Sequence, residues 1–212
     1  MIVDKRLNYG RHLITQWSHS LIAKKACVLD VGAGEGKDLD LVKAQLGDSA
    51  RYIAIESWKP NVELLQAKGI EVVTSNIENE PIPLPDCSVD LIIANQILEH
   101  TKELFFIMHE FSRILKVGGQ IIIGVPNLAA LHNRIALLFG QQPTCIRTNS
   151  AHIRGFTKSG VRQIVDVWDG YQLKDFRGAN FYPLPPPLAK LAARILPSLS
   201  VCIFLLIEKK KP

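Results

Sequence analysis

The chain has 212 residues, of which 47% are hydrophobic, and a formal net charge of +5 at pH 7, part of which belongs to the tail Lys209-Lys210-Lys211. This length suits one well-buried domain. The longest apolar run, residues 201–207, is far shorter than the ~20 residues of a membrane-spanning helix, and the N-terminus lacks the apolar segment of a secretory signal. We therefore expect a single cytoplasmic domain over residues 1–212, without a transmembrane segment.

The cysteines are widely spaced and include no C-x-x-C pair; they are Cys27, Cys87, Cys145 and Cys202. Two of them lie in apolar, strand-like runs. This usage predicts free thiols, some of them buried, in a reducing compartment.

A glycine-rich turn follows the first predicted strand. Residues 27–31 are short, apolar and β-branched, which is typical of a buried parallel strand. Gly32, Gly34 and Gly36 come next, and apolar residues at helical spacing continue over residues 37–46. Glycine accepts positive φ, and without a Cβ it lets a ligand lie directly on the backbone. The turn therefore predicts a nucleotide-type cradle.

Strands and helices alternate along the rest of the chain. The predicted strands are residues 51–55, 71–75, 89–94, 120–125, 171–177 and 201–207, and the predicted helices are residues 7–25, 61–68, 103–115, 128–139, 157–168 and 188–196. The leading helix directs Leu13, Ile14, Trp17 and Leu21 towards the core. The alternation predicts parallel strands joined by right-handed crossovers, and hence a doubly wound α/β sheet. Segments at about 1–20, 126–156 and 178–200 are interpreted as lid or acceptor elaborations of this domain.

The spacing of the glycines distinguishes between nucleotide cofactors. A dinucleotide fingerprint is G-x-G-x-x-G, and here Lys37 occupies the place of the third glycine. No Gly-Lys-Ser/Thr closes the turn, which excludes a P-loop. Glu56 follows the second predicted strand, where a carboxylate is placed to accept hydrogen bonds from two ribose hydroxyls.

Residues 28–36, Val-Leu-Asp-Val-Gly-Ala-Gly-Glu-Gly, resemble motif I of the class I S-adenosylmethionine-dependent methyltransferases, of the methyltransferase type 11 kind. Further stretches resemble that family in the same order: residues 52–56, 83–92, 94–100 and 113–119. The resemblance implies a seven-stranded Rossmann-like sheet of order 3-2-1-4-5-7-6, with strand 7 antiparallel and helices on both faces. It also implies S-adenosyl-L-methionine as the cofactor and S-adenosyl-L-homocysteine as the product.

The resemblance further implies which residues contact the cofactor. It assigns contact with the methionine end of the cofactor to Asp30, Gly32, Ala33 and Gly34, and contact with the ribose to Glu56. It assigns contact with the adenine to Ser57, Trp58, Asn76 and Ile77, and it places Asn95 and Gln96 beside the sulfonium. Tyr9 and Arg11 are candidates to close over the cofactor, with the Arg11 guanidinium meeting its carboxylate.

Some of these residues have a structural alternative. Gly36 fits relief of crowding at the helix start as well as ligand contact, and Trp58 fits coverage of an apolar edge as well as stacking on adenine. Arg11 fits an ordinary surface helix equally well. Asn76 stands where the family usually has an acidic residue, so adenine recognition there is expected to be neutral rather than charge-assisted.

Methyl transfer from a sulfonium is a single in-line displacement, so the chain need not supply a covalent nucleophile or a metal. No histidines, cysteines and acidic residues stand at metal-ligand spacing, and no metal is expected. A general base helps where the acceptor must lose a proton. His100, after the fourth strand, is the first candidate, and His152, before a late helix, is the second. Packing in a helix start or a loop is the alternative for both and is favoured for His152.

The acceptor is expected to lie against residues 126–156 and 178–200, which are rich in Leu, Ile, Phe and Pro with scattered basic residues. This composition favours a small or lipid-like molecule over nucleic acid, although a hydrophobic cap or dimer face fits it equally well. Two rival functions are an NAD-dependent oxidoreductase, disfavoured by Lys37, and a non-catalytic cofactor-binding module. The latter would contact membrane surfaces through residues 188–196.

Overall fold

The computed structural model describes residues 10–21, 25–167 and 170–211. Its strands are β1 (Cys27–Val31), β2 (Arg51–Ile55), β3 (Glu71–Val73), β4 (Val89–Asn95), β5 (Leu115–Pro126), β6 (Tyr171–Ala179) and β7 (Cys202–Lys209). Its α-helices are α1 (Arg11–Ser18), α2 (Lys37–Leu46), α3 (Lys59–Ala67), α4 (Leu104–Ile114), α5 (Leu131–Leu138), α6 (Lys158–Val167) and α7 (Pro186–Ile195). Within these residues, no helix is both long and apolar enough to cross a membrane.

The strands form one seven-stranded sheet of order β3-β2-β1-β4-β5-β7-β6. The pairs from β3 through to β5 are parallel, whereas β7 runs antiparallel to both β5 and β6. The predicted strand order and the antiparallel seventh strand are therefore confirmed. Parallel pairing brings the carboxyl ends of β1, β2 and β4 to the same edge of the sheet, where ligands bind in open α/β folds.

Helices cover both faces of the sheet, so the central strands are buried on both sides. Leu29 and Ile92 pack on one face with Phe111 of α4. Val28 and Leu91 pack on the other face, in a cluster to which α1, α2 and α3 contribute. The predicted core positions of α1 and the turn after it are confirmed, with Leu13, Ile14, Trp17 and Leu21 all buried.

Several predicted boundaries were wrong by a few residues. The helix expected over residues 61–68 begins at Lys59, because Pro60 lies in its first turn, where the missing N–H has no intrahelical partner to lose. The strand expected at residue 120 begins at Leu115, which pairs with Val89 of β4. The glycines at 118 and 119 interrupt that pairing without ending the strand. Within the described part of the predicted helix over residues 7–25, α1 covers Arg11–Ser18 and a 3₁₀ turn, His19–Leu21, follows it, while residues 7–9 and 22–24 lie outside the described residues.

The cysteines are free, and they differ in accessibility: Cys27 and Cys202 are buried, Cys145 is half-buried, and Cys87 is exposed. Burial raises the pKa of Cys202 to about 12 and also raises the pKa of Cys27 and Cys145. Since the thiolate is the reactive form, we expect Cys87 to react with dithiobis(nitrobenzoate) at pH 8 at least ~10-fold faster than the others. Stopped-flow absorbance measures the rates. A fast phase that persists in Cys87→Ser would contradict the assignment.

Candidate active site

The glycine turn lies at the carboxyl end of β1, and its glycines serve different purposes. Gly32, Gly34 and Gly36 all have positive φ, of 70°, 55° and 78°. A Cβ on Gly36 would lie 2.6 Å from Leu65 Cδ2, and one on Gly32 would lie 2.7 Å from Ile97 Cδ1. At Gly34 a Cβ would meet no atom within 4 Å. Gly32 and Gly36 therefore relieve crowding, which favours the structural interpretation of Gly36, whereas Gly34 faces open space.

Glu56 lies at the end of β2 and is joined to the glycine turn. Its Oε2 accepts a hydrogen bond from the Gly34 amide at 2.8 Å. Its Oε1 accepts from the amides of Ser57 at 2.9 Å and Trp58 at 2.8 Å. These contacts hold a carboxylate against the backbone of the open turn. Two predicted site residues, which lie 22 positions apart in the sequence, are thus brought into contact.

A buried acidic pair lies beneath the turn. Asp30 of β1 is 2% exposed, and its Oδ2 has no hydrogen-bond partner within the described part of the chain. Asp38, in the first turn of α2, accepts from Arg11 Nε and from Asn95 Nδ2, each at 2.7 Å. Asp38 was not predicted as a site residue. Its only sequence signal is an acidic residue in the first turn of the helix after the cradle, a common preference at any helix start.

The carboxylates give the turn a negative character. Burial raises the pKa of Asp30 well above its usual range, and the charge of Asp38 and, more weakly, of Glu56 adds to this effect, while Arg11 opposes it. A cationic group of a ligand placed beside Asp30 would relieve that repulsion and give its Oδ2 a partner. Arg11 itself is engaged by Asp38, so its contact with a cofactor carboxylate stays a prediction.

The residues predicted to flank adenine follow the ends of two neighbouring strands, Ser57 and Trp58 after β2 and Asn76 and Ile77 after β3. Ser57 is exposed and Trp58 is 63% exposed. The Asn76 side-chain oxygen accepts from the Glu78 amide at 3.1 Å, which leaves one lone pair for a further donor. Ile77 is half-buried against the core. Tyr9 lies outside the described residues.

Asn95 and Gln96, the residues predicted to lie beside the sulfonium and to face the acceptor, are at the end of β4 and directly after it. Asn95 is tied to Asp38 by its amide group, and Gln96 follows with a positive φ of 60°. A non-glycine residue in that conformation is uncommon and indicates a local constraint. The buried Gln96 Nε2 has no hydrogen-bond partner in the described regions. Both predicted residues therefore lie at the same edge as the glycine turn.

The two candidate histidines lie against each other. Their ring centroids are 4.6 Å apart with an interplanar angle of 79°. His100 is exposed, His152 is half-buried, and each Nδ1 lies beside a backbone carbonyl. Burial lowers the pKa of His100 below its usual value of 6.5, although the Ala151 carbonyl opposes this shift. His100 is therefore largely neutral at pH 7, as a general base must be.

Glu99, which the sequence did not single out, adjoins these histidines. It is 1% exposed, and burial raises the pKa of its carboxyl to about 7. The structure thus assembles a group of potential metal ligands, Glu99, His100 and His152, that sequence spacing did not reveal. His152 is 52 positions from His100 in the sequence, so no short motif contains all three residues.

Exposed apolar side chains mark the segments predicted as elaborations. They lie on α5 and the turn after it, on α7, and between β6 and α7, and comprise Ile135, Leu137, Leu138, Phe139, Tyr182, Leu184, Leu188, Leu191, Ile195 and Leu196. The His132 and Tyr182 rings make an edge contact at 5.6 Å, which links α5 to the segment before α7.

Comparison with known proteins agrees with this geometry. Residues 29–123 match a family model described as a methyltransferase domain. A probable S-adenosylmethionine-dependent methyltransferase of Mycolicibacterium smegmatis is 28% identical over 172 residues, which cover 79% of this chain and 59% of that protein. This chain therefore spans about three fifths of the length of that relative.

Solved structures share the fold. The 1,6-didemethyltoxoflavin-N1-methyltransferase of Burkholderia thailandensis, solved with 1,6-didemethyltoxoflavin and S-adenosylhomocysteine bound, has a TM-score of 0.64 at 18% identity, covering 95% of this chain and 79% of that one. The [4+2]-cyclase SpnF has a TM-score of 0.66 at 14% identity, with coverages of 95% and 82%. At these identities the likeness shows the fold alone, and the two proteins are named for different reactions.

Proposed function

We propose that this chain is a class I S-adenosylmethionine-dependent methyltransferase, which transfers the methyl group of S-adenosylmethionine to a small or lipid-like acceptor. The observation that carries the proposal is the open glycine turn at Gly34, lying between the carboxylates of Asp30 and Glu56 at the edge where β1, β2 and β4 end.

The residues of the turn fit this cofactor. Its methionine end carries a sulfonium and an ammonium group, and the buried Asp30 with its unpartnered Oδ2 is suited to a cation. Its ribose carries a pair of hydroxyls, and the Glu56 carboxylate at the end of β2 would accept from them in exchange for some of its present amide donors. The absence of atoms near Gly34 leaves room for a ligand on the backbone.

The chain's own residues then have positioning roles. When bound, S-adenosylmethionine supplies an electrophilic methyl group on a good leaving group. Asn95, anchored to Asp38, and Gln96 define the wall between the cofactor and the acceptor. Holding both reactants in line in a desolvated space supplies most of the rate. His100 would take a proton from an acceptor hydroxyl or amine through its Nε2.

Isothermal titration calorimetry with S-adenosylmethionine, S-adenosylhomocysteine and NAD tests the proposal. We expect micromolar binding of the first two ligands and none of NAD. Binding of NAD alone would reject the cofactor. Binding of the methionine derivatives without methyl transfer to any acceptor class would favour the non-catalytic rival.

A glycine substitution tests the cradle itself. In Gly34→Ala the new Cβ occupies the space proposed for the cofactor, and we expect the affinity for S-adenosylmethionine to fall at least ~10-fold. Gly69→Ala is the matched control, because Gly69 has a φ of 71° and also has no atom within 4 Å of its Cβ position. Both variants should lose about 1–2 kcal/mol of stability to backbone strain. Equal cofactor affinity in the two variants would contradict the proposed cradle.

The acceptor class rests on the exposed apolar side chains of α5 and α7. Apolar surface of this extent marks a binding or interaction site more often than a bare face. Basic residues on the same helices, Arg134, Lys190 and Arg194, would suit an anionic headgroup. Transfer of a radiolabelled methyl group either to lipid extracts or to polar metabolite fractions would distinguish a lipid-like acceptor from a small polar one. Labelling confined to nucleic acid or protein would reject a small or lipid-like acceptor.

A further inference from the structure

The group formed by Glu99, His100 and His152 has the composition of a metal site. One ligand-type atom from each residue lies within 4.8 Å of the others. Glu99 and His100 belong to the 3₁₀ turn Leu98–His100 after β4, and His152 comes from the loop before α6. The amide of Ile153 donates to the Glu99 carbonyl at 2.9 Å, which fixes that loop against the turn.

The hydrogen bonds of both histidines determine which ring nitrogen is available. His100 Nδ1 lies 3.2 Å from the Ala151 carbonyl oxygen, and His152 Nδ1 lies 2.7 Å from the Cys145 carbonyl oxygen. A carbonyl oxygen only accepts, so each Nδ1 carries the proton and donates it. Each Nε2 is then left with a lone pair. A backbone carbonyl on the second ring nitrogen is the usual support of a metal-binding histidine, because it fixes the tautomer and the ring orientation.

The carboxylate of Glu99 provides an independent indication of a ligand. The residue is 1% exposed, and its Oε2 is buried without a hydrogen-bond partner among the residues that the structure describes. A buried acceptor left without a partner costs about 1–3 kcal/mol, so such groups are nearly always occupied. A bound cation would give that oxygen a partner.

We propose that Glu99, His100 and His152 bind a divalent transition-metal cation. Imidazole and carboxylate ligands together suit Zn²⁺, Co²⁺, Mn²⁺ or Fe²⁺, whereas Mg²⁺ and Ca²⁺ take all-oxygen surroundings. Three protein ligands leave at least one coordination position for water. Because His100 is exposed, that position faces solvent. The site is therefore an open one. A bound metal would occupy the Nε2 lone pair of His100, so the metal-loaded chain would not use His100 as a general base, whereas cofactor binding at Gly34 and Glu56 would not depend on the metal.

The ligands must contract modestly to hold the ion. Bonds of about 2.0–2.2 Å place the ligand atoms of a tetrahedral centre roughly 3.4 Å apart. The present separations of up to 4.8 Å therefore have to close by up to about 1.4 Å. His100 is the exposed member of the group and has the most room to adjust, whereas Glu99 is buried and His152 Nδ1 lies 2.7 Å from the Cys145 carbonyl oxygen.

Equilibrium dialysis of the full chain without a histidine tag tests the proposal. The protein is dialysed against Co²⁺, Zn²⁺, Mn²⁺ and Mg²⁺ in turn and the retained metal is measured by mass spectrometry. We expect ~1 equivalent of Co²⁺ or Zn²⁺ and a visible absorption band from the cobalt form. The variants Glu99→Gln, His100→Asn and His152→Asn should each weaken binding at least ~10-fold.

Controls separate a specific site from general loss of structure. His109→Asn changes an exposed histidine on α4, outside the proposed site, and should retain the metal fully. Circular dichroism of each variant checks folding, and His100→Asn, at an exposed position, is expected to fold normally. Failure to retain any transition metal, or retention unchanged in the three ligand variants, would overturn the proposal. Calorimetric binding of S-adenosylmethionine to the same samples reports on the proposed function separately.

Discussion

Replacing Glu56 with alanine is expected to lower the affinity for S-adenosylmethionine and S-adenosylhomocysteine by about 100-fold or more. Hydrogen bonds to a charged group contribute about 1.5–3 kcal/mol each, and 1.4 kcal/mol corresponds to a tenfold change. Loss of two such bonds from the ribose therefore exceeds 100-fold. The Gly34 amide would also lose its acceptor at 2.8 Å, and with it a restraint on the cradle. Titration calorimetry of the wild type and of Glu56→Ala with each of the two ligands measures the effect.

Glu63→Ala serves as the matched control for this prediction. Glu63 is an exposed carboxylate on α3, 4.0 Å from Lys59 Nζ, and it should leave cofactor affinity and stability unchanged. The cofactor affinity of Glu56→Gln should lie between those of Glu56→Ala and Glu63→Ala, because an amide keeps one acceptor oxygen and loses the charge. The melting temperature of Glu56→Ala should change little. The amides of Ser57 and Trp58 lose their acceptor in this variant, but both residues are exposed. Unchanged cofactor affinity in Glu56→Ala would remove this residue from the site.

Replacing Arg113 with alanine is expected to lower the free energy of unfolding by about 2–3 kcal/mol, because it leaves the buried Glu110 carboxylate without its partly exposed charged partner. Arg113 of α4 donates to Glu110 through Nε and Nη2, and Glu110 is 4% exposed. Its other contacts reach the proline-rich loop before β4, at the Ile82 and Leu84 carbonyls and the Asp86 carboxylate. Denaturant unfolding followed by circular dichroism measures the loss.

Arg162→Ala is the matched control: it breaks an exposed pair with Asp166 at 3.7 Å and should change the free energy of unfolding by less than about 0.5 kcal/mol.

The hydrogen bond from Arg113 is the main reason why the pKa of Glu110 lies below its ordinary value of 4.5. A carboxyl with a lowered native pKa stabilises the fold above its unfolded pKa, and that contribution is lost as the pH falls through the native value. The difference between the wild type and Arg113→Ala should therefore be constant at neutral pH and narrow below pH 4.5. A difference independent of pH would contradict this pairing.

Local sequence patterns were sufficient for the architecture. The apolar run Cys27–Val31, the glycine turn and the helix Lys37–Leu46 were all predicted with the observed bounds. Each of these signals is contained within a few neighbouring residues, because strand burial, positive φ and helical periodicity are properties of short segments. Glu56, which its position at a strand end and the resemblance to a known family predict to bind the ribose, lies against the turn; its contact with the ribose stays a prediction.

The tertiary structure decided which side chains meet. Asp38 becomes a site residue only because α2 packs Asp38 against Arg11 of α1 and Asn95 of β4. Glu99 and His100 reach His152 only because the loop before α6 returns to the end of β4. These groupings depend on long-range packing, and no spacing in the sequence encodes the distance between their atoms. The sequence by itself therefore determined the sheet and the glycine turn proposed as the cofactor cradle, whereas the folded chain determined the charge around that turn and the candidate metal ligands.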